Sequence, residues 1–259
     1  MIYAGCDLGT ISAKVVLIED GHILAAEVLP YKSLPRQAAA EVFVRALAQA
    51  GLVQDRIAGF QSTGFGKKAV PFAHGEAAEL ICLHRAVRAL HPAVRTVIDV
   101  GGQSIRAFNI DSDGRLTAST ANEKCSAGTG KFMEVMAQAL EMPLEELSRA
   151  ALSSTRPLSI TSQCGVFAES EVITHVNEGH DRLDIFAGIS LSVAGKVAGL
   201  VRRISLNREV VLVGGVAKNL CVVRDLEREL QVELIRPDLD PQVVSAYGAA
   251  LLARDRGPG

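Results

Sequence analysis

Apolar runs that end in acidic, glycine-containing turns are the first pattern in the chain. Residues 2–10 form an apolar run that ends at Asp7 and Gly9, and residues 14–19 form the next run, followed by Asp20-Gly21. Asp-Gly between two extended runs is typical of a hairpin turn. We therefore predict a strand that ends in an acidic turn, a second strand and a hairpin.

The same pattern returns in the middle of the chain. A strand over 97–100 leads into Gly101-Gly102-Gln103, a second strand covers 105–110, and Asp113-Gly114 makes the turn. A shift of 92 residues, from position 7 to position 99, aligns the two stretches, and one further residue aligns Gly21 with Gly114. The matched acidic and basic positions predict an internal duplication. The pairs are Asp7 with Asp99, Gly9 with Gly101, Ser12 with Ser104, and Lys14 with Arg106.

Helical and extended segments alternate through the remaining sequence. Alternation in both halves predicts an α/β fold of two similar lobes. We expect a first lobe over 1–95, a second over 96–242, and a C-terminal helix over 243–259 that returns to the first lobe. Helices are predicted over 37–51, 75–90, 130–140, 144–152, 168–177, 184–204, 222–230 and 243–254, and strands over 57–62, 210–213 and 232–235.

Charge and hydropathy narrow the class of protein. The 259 residues carry 27 Lys and Arg against 29 Asp and Glu, so no basic excess exists to neutralise nucleic-acid phosphates. Residues 185–201 are the nearest approach to a membrane span, but they contain Lys196 and small polar residues, and we predict a packed helix there. The few residues before Cys6 leave no room for a signal peptide. We expect a cytoplasmic protein with neither a nucleic-acid nor a membrane partner.

The two acidic turns have the composition of phosphate-binding loops. Glycines let backbone N–H groups approach phosphate oxygens, and Thr10 and Ser12 add hydroxyl donors. Asp7 and Asp99 are suited to hold Mg²⁺, which prefers oxygen ligands. Gln103 is placed to orient an attacking water. Ordinary hairpin turns are the alternative, because Asp and Gly favour turns without any ligand.

A third glycine turn follows the apolar strand over 210–213. Gly214-Gly215 lets a flat base or ribose lie against the backbone, and residues 216–219 begin the next helical segment. A tight strand-to-helix connection is the alternative. We also considered Gly64-Phe65-Gly66 as a dinucleotide loop, but Pro71 stands where the required helix should begin.

Two of the five cysteines differ from the others. Cys125 and Cys164 each precede a predicted helix, where exposed N–H groups and the helix dipole stabilise a thiolate. Cys6, Cys82 and Cys221 lie in apolar or helical stretches, where packing explains them. Two thiolates cannot complete a four-cysteine site, but a symmetric dimer would supply four. Cys125 and Cys164 are therefore candidate metal ligands, with packing as the alternative.

Seven motifs lie at residues 7–14, 63–67, 97–103, 124–130, 164–173, 214–219 and 248–250, spread over nearly the entire chain. Together they resemble the family of ATP-dependent activators of 2-hydroxyacyl-CoA dehydratases, which also contains the ATPase subunits of benzoyl-CoA reductase. The two cysteine motifs are the specific part of the resemblance, whereas the phosphate loops are shared by the wider actin, Hsp70 and sugar-kinase superfamily. Ser104 departs from the family, which commonly has Asp after Gly-Gly-Gln.

The resemblance implies a duplicated two-lobe fold of the actin/Hsp70/sugar-kinase (ASKHA, ribonuclease H-like) type, with ATP, ADP and Mg²⁺ bound in the cleft between the lobes. It also implies a homodimer that holds one [4Fe–4S] cluster through Cys125 and Cys164 of each chain. ATP hydrolysis would drive one electron to a partner dehydratase or related CoA-ester reductase, and a ferredoxin or flavodoxin would supply it. Asp7, Asp99 and Gln103 are the implied catalytic residues. The implied nucleotide-binding residues are Gly9, Thr10, Ser12, Lys14, Gly101, Gly102, Gly128, Gly130, Gly214, Gly215, Ala217 and Asn219.

Two other functions are weighed beside the activator. A small-molecule kinase of the same superfamily would need a catalytic aspartate against a substrate hydroxyl, and it leaves both cysteine motifs unexplained. A non-enzymatic ATP-sensing adaptor would bind nucleotide tightly without hydrolysis and without a redox centre.

Overall fold

The computed structural model describes residues 1–32, 34–122, 128–161 and 164–258, and the chain forms two compact units. Unit 1 comprises Met1–Ala93 and Pro237–Gly259, and unit 2 comprises Val94–Arg236. The lobe boundaries after residues 95 and 242 stay predictions. In chain order the elements are β1 (Ile2–Leu8), β2 (Ser12–Glu19), β3 (His22–Pro30), α1 (Pro35–Ala50), β4 (Ile57–Thr63), β5 (Gly75–Glu76), α2 (Glu79–Leu90), β6 (Thr96–Val100), β7 (Ile105–Ile110), β8 (Leu116–Asn122), α3 (Gly130–Ala139), α4 (Leu144–Ala150), α5 (Gly165–Asn177), α6 (Arg182–Val201), β9 (Val210–Val213), α7 (Leu220–Leu230), β10 (Leu234–Ile235) and α8 (Val244–Arg256).

Both units are built on the same sheet topology. In unit 1, β1, β2 and β3 form an antiparallel meander, β4 adds parallel to β1, and the strand order is β3-β2-β1-β4-β5. In unit 2, β6, β7 and β8 form the meander, β9 adds parallel to β6, and the order is β10-β9-β6-β7-β8. The two orders are equivalent strand for strand. The predicted internal duplication and the α/β class are therefore confirmed.

Unit 1 buries both faces of its central strand. Every residue of β1 is buried because β2 and β4 flank it and helices cover the sheet. Side chains alternate along a strand, so Ala4, Cys6 and Leu8 share one face, where they pack with the apolar side of α1. The C-terminal helix α8 lies over Gly5 on the opposite face.

Unit 2 is organised around α6. Twelve residues of this helix are buried, among them Phe186, Ile189 and Val193, and they pack with β6, β7 and helices α3, α5 and α7. Asp181 begins the helix by accepting hydrogen bonds from the N–H groups of Leu183 and Asp184. Among the described residues α6 is long and apolar enough to cross a membrane by length and composition, and 67% of that stretch is buried inside the protein. Such burial is typical of a core helix.

The structure differs from the sequence-based elements most at three places. Other bounds differ by two or three residues: α5 begins at Gly165 and not at 168, and β10 covers Leu234–Ile235 and not 232–235. The hairpin turns at Asp20-Gly21 and Asp113-Gly114 lead into β3 and β8, for which the sequence predicted no bounds. The helix predicted over 75–90 begins only at Glu79, because Gly75 and Glu76 pair with Gln61 and Ser62 as β5. This pairing with β4 is a long-range contact that local periodicity does not show.

Candidate functional site

A buried acid–base pair lies at the end of β1. Register places Asp7 opposite Lys14 across the β1–β2 pair, and Lys14 Nζ is 3.0 Å from Asp7 Oδ2. Asp7 is only 4% exposed. Its Oδ1 is also buried and has no hydrogen-bond partner among the described residues. The carboxylate is thus held by one cation and keeps one oxygen available for another ligand.

Unit 2 repeats this pair at the end of β6. Asp99 lies opposite Arg106 across β6 and β7, and the Arg106 guanidinium is 3.6 Å from Asp99 Oδ2. Asp99 is 5% exposed. The residues that the 92-residue shift aligned in sequence therefore occupy equivalent positions in the two sheets.

The loops after these aspartates close in the same way. The N–H of Gly9 donates to the carbonyl of Ser12 at 3.1 Å, and the N–H of Gly101 donates to the carbonyl of Ser104 at 2.9 Å. Each loop is a short connection between antiparallel strands. Thr10 is half-buried and Gln103 is exposed, so the Gln103 side chain is accessible to a bound molecule.

Each loop is backed by a glycine that follows the parallel strand. Gly64, after β4, and Gly214, after β9, both have φ of +87°. A Cβ on Gly64 would lie 2.3 Å from Asp7 Oδ1, and one on Gly214 would lie 2.7 Å from Asp99 Oδ1. Only glycine allows the turn to pass this close to the carboxylate. This role of Gly64 was not predicted, although both glycines directly follow an apolar strand.

The start of α3 joins the loop of unit 2. The N–H of Gly130 donates to the carbonyl of Gly101 at 3.0 Å, and the N–H of Lys131 donates to that of Gly102 at 2.8 Å. Gly128, with φ of +96°, precedes them. The structure thus brings Gly101, Gly102 and Gly130 into direct contact.

The turn after β9 has a partly structural role. Residues Gly215–Lys218 form one short helical turn, closed by the N–H of Ala217 on the carbonyl of Gly214. Asn219 is buried, and its Oδ1 caps α7 by accepting from the N–H of Val222. Its Nδ2 has no hydrogen-bond partner among the described residues. The Asn219 amide therefore retains one donor group.

Tyr31 contacts the first loop, and the sequence did not indicate this contact. Its hydroxyl donates to the carbonyl of Gly9, and its N–H donates to the carbonyl of Ile11 at 3.0 Å. Burial raises the pKa of Tyr31 above its usual value, so the phenol stays protonated and can donate. Tyr31 follows β3, and its contact with the loop depends on the course of this strand, whose bounds the sequence did not predict.

The cysteines separate by exposure. Cys6, Cys82 and Cys221 are buried, and burial raises the pKa of all three thiols, that of Cys82 to about 11. Cys164 is exposed at the residue before α5, and its side chain makes no capping hydrogen bond. Cys125 lies outside the described residues.

The fold and the paired loops define the class of protein. A meander with added parallel strands, present twice, is the architecture of the actin/Hsp70/sugar-kinase superfamily. A ROK-family glucokinase from Streptomyces griseus shares this fold at 12% identity and a TM-score of 0.57, over 98% of this chain and 100% of that one. At this identity the likeness concerns the fold alone.

The family follows from closer matches. Residues 4–253 match the model of the BadF/BadG/BcrA/BcrD ATPase family, and the chain belongs to that family. It is 37% identical to the (R)-2-hydroxyglutaryl-CoA dehydratase activating ATPase of Acidaminococcus fermentans, over 96% of this chain and 95% of that protein. It also resembles the solved activator of 2-hydroxyisocaproyl-CoA dehydratase from Clostridium difficile with bound ADPNP, at 40% identity and a TM-score of 0.94, over 99% and 95% of the two chains.

Proposed function

We propose that this chain hydrolyses ATP to drive one electron from a [4Fe–4S] cluster to a 2-hydroxyacyl-CoA dehydratase or a related CoA-ester reductase. Two copies would share the cluster, and a cytoplasmic ferredoxin or flavodoxin would supply the electron. The observation that carries the proposal is the exposed thiol of Cys164 at the start of α5, in a chain that is an ATPase by family.

Nucleotide phosphates are the ligands that suit the two hairpin loops. Lys14 and Arg106 place one positive charge beside each loop, and the glycines leave backbone N–H groups approachable. The unpartnered Oδ1 of Asp7 fits a hydrated Mg²⁺, which takes few protein oxygens and keeps several waters. We assign Gly9, Thr10 and Ser12 to the phosphates with their counterparts Gly101 and Gly102. Gly128, Gly130, Gly214, Gly215, Ala217 and Asn219 are assigned to the remainder of the nucleotide.

Hydrolysis needs a residue that positions water. Gln103 is exposed beside the β6–β7 loop, and its neutral amide can both accept from and donate to a water molecule. Asp99 and Asp7 would hold the metal-bound waters, because both are anchored by a cation across the strand pair. Loss of the Gln103 amide would lower the hydrolysis rate while nucleotide binding persisted.

Cys164 has the surroundings expected of a cluster ligand. Its thiol is exposed at the residue before α5 and makes no capping hydrogen bond. Together with Cys125 and the same two cysteines of a second copy, it would complete the four thiolates of a [4Fe–4S] centre. The cluster would act as the one-electron donor. Val166 and Phe167, in the first turn of α5 after Cys164, are 69% and 68% exposed, and a second copy would cover this apolar surface.

The described contacts offer a route from the loop to the cysteines. The Gly101 and Gly102 carbonyls are bonded to the first N–H groups of α3, which follows Cys125 in sequence. Helix α3 packs against α5, which begins after Cys164. A shift of the β6–β7 loop between ATP and ADP would therefore displace α3 and, through it, both cysteine segments.

The experiment is an anaerobic reduction assay. The reconstituted, reduced protein is mixed with oxidised dehydratase and MgATP, and the reduced dehydratase is measured by electron paramagnetic resonance. We expect reduction with ATP and none with ADPNP, and Gln103→Ala should slow ADP release and dehydratase reduction together. ATP turnover that requires an added alcohol and yields a phosphorylated product would instead indicate a kinase.

A further inference from the structure

The C-terminal end of α5 brings three metal-ligating side chains together. Helix α5 ends in a Schellman motif, in which the N–H of His180 donates to the carbonyl of His175 at 3.1 Å and that of Gly179 to the carbonyl of Val176. Gly179 has φ of +80°, as the motif requires. The motif normally places an apolar pair at the positions of His175 and His180. Here it places two imidazoles there, with ring centroids 5.3 Å apart.

Glu178 completes the set. Its Oε2 lies 3.5 Å from His175 Nδ1 and 3.4 Å from His180 Nε2, and one donor atom from each of the three residues lies within 4.8 Å of the others. Two ligands at about 2.0–2.1 Å from a tetrahedral metal are separated by roughly 3.3–3.4 Å. The two distances from the Glu178 carboxylate to the imidazoles are close to that value and longer than an ordinary hydrogen bond.

Two further observations point to a cation. Both ring nitrogens of His175 are buried, and neither has a hydrogen-bond partner among the described residues. Buried polar atoms of this kind normally have a partner. The C-terminal end of a helix also carries a partial negative charge, which favours a bound cation.

We propose that His175, Glu178 and His180 bind a divalent transition-metal ion, with Zn²⁺ the best match. Two imidazoles exclude Mg²⁺ and Ca²⁺ as preferred ions, and the three protein ligands leave a fourth position for water. The site is separate from the proposed cluster ligand. Eleven residues separate Cys164 from His175, which is roughly 16 Å along a helix axis.

The metal would brace the end of the helix that begins at Cys164. His175 lies in the last turn of α5, Glu178 is its C-cap residue, and His180 follows two residues later. One bound ion would therefore cross-link the helix to its connection with α6. This inference does not depend on the proposed ATPase or electron-transfer function, because metal binding is measured without nucleotide or dehydratase.

The test is a Zn²⁺ titration of the full chain by isothermal calorimetry, with His180→Gln and Glu178→Gln as variants and His22→Gln as the matched control. Both ligand residues are exposed, and His22 is an exposed histidine in unit 1. We expect each ligand variant to bind one equivalent of Zn²⁺ more weakly than the parent does. The loss of affinity should exceed the roughly 10–100-fold that loss of an outer-sphere partner costs. The control should bind like the parent.

Cobalt distinguishes this site from the thiols. Co²⁺ held by nitrogen and oxygen gives ligand-field bands without the thiolate charge-transfer band that Cys164 would produce. Those bands should disappear in His180→Gln and persist in Cys164→Ser. The inference is overturned if the parent binds no Zn²⁺ beyond what its thiols hold, if the ligand variants bind as the parent does, or if His22→Gln weakens binding equally.

Discussion

Lys14 Nζ lies 3.0 Å from the Oδ2 of Asp7 across the first two strands, and both side chains are nearly buried. Removing one member of a buried pair is more costly than the pair is worth, because the other charge stays buried alone. The second unit repeats the arrangement with Asp99 and Arg106. The basic residue therefore holds the buried carboxylate in place.

Lys14→Met should destabilise the protein by about 3 kcal/mol, since it leaves the Asp7 carboxylate without its cation. Urea unfolding monitored by circular dichroism measures this loss. Lys68→Met, at an exposed lysine of the same unit, should change the free energy of unfolding by less than about 0.5 kcal/mol. Equal effects of the two substitutions would show that the pair does not hold Asp7.

Gly214→Ala tests the close approach of the β9 turn to Asp99. The new methyl group would lie 2.4 Å from the carbonyl oxygen of Val100 at a φ of +87°, so we expect a loss of about 3 kcal/mol and of ATPase activity. Thermal unfolding measures the loss of stability, and the rate of ADP formation measures the ATPase activity. Gly199 lies in α6 where an added Cβ meets no other atom, so Gly199→Ala should instead raise the free energy of unfolding by about 0.5–1 kcal/mol through helix propensity. A tolerated Gly214→Ala would contradict the assigned role.

Tyr31→Phe should impair the first loop without unfolding unit 1. Loss of the hydrogen bond to Gly9 should raise the KM for ATP about fivefold, the equivalent of roughly 1 kcal/mol. Tyr247→Phe is the matched control, because Tyr247 donates a similar bond to the carbonyl of Gly21, at the β2–β3 turn. If both substitutions change the KM alike, Tyr31 does not act through the loop.

Stability should fall at alkaline pH as buried thiols are forced to ionise. Burial raises the pKa of Cys82 from 9.0 to about 11, so the folded state keeps a proton that the unfolded state releases. The stabilisation is full below about pH 9 and is lost as the pH rises through 11, by about 2–3 kcal/mol at most. Cys82→Ala should be less stable at pH 7 but lose less stability between these pH values. Parallel curves for parent and variant would contradict the assignment.

The sequence predicted the parts of the fold that depend on local pattern. The strand pair β1–β2 and its copy β6–β7 follow from apolar runs, from the acidic, glycine-containing turns after Asp7 and Asp99, and from the shared 92-residue spacing. Strands β3 and β8 lie at sheet edges with many exposed or half-exposed side chains, so their alternation is weak. Only their pairing with β2 and β7 defines them.

The residues of the candidate site likewise divide into those that a local sequence pattern predicts and those that only long-range contacts bring together. Asp7, Asp99 and the loop glycines were found because they recur at a fixed spacing in the sequence. The close approach of Gly64 to Asp7 was not predicted, because it crosses between parallel strands and nothing local signals it. At the end of α5, His180 likewise meets His175 and Glu178 only because Gly179 turns the chain back on the helix.

The central claim is tested most directly by iron and sulfide analysis of anaerobically reconstituted protein, with the mass of the assembly measured in the same sample. The account predicts four iron and four sulfide per two chains in the parent. Cys82→Ser, at a buried thiol, should retain them, whereas Cys164→Ser should lose the cluster and its colour. A colourless parent, or a full cluster in Cys164→Ser, would contradict the account.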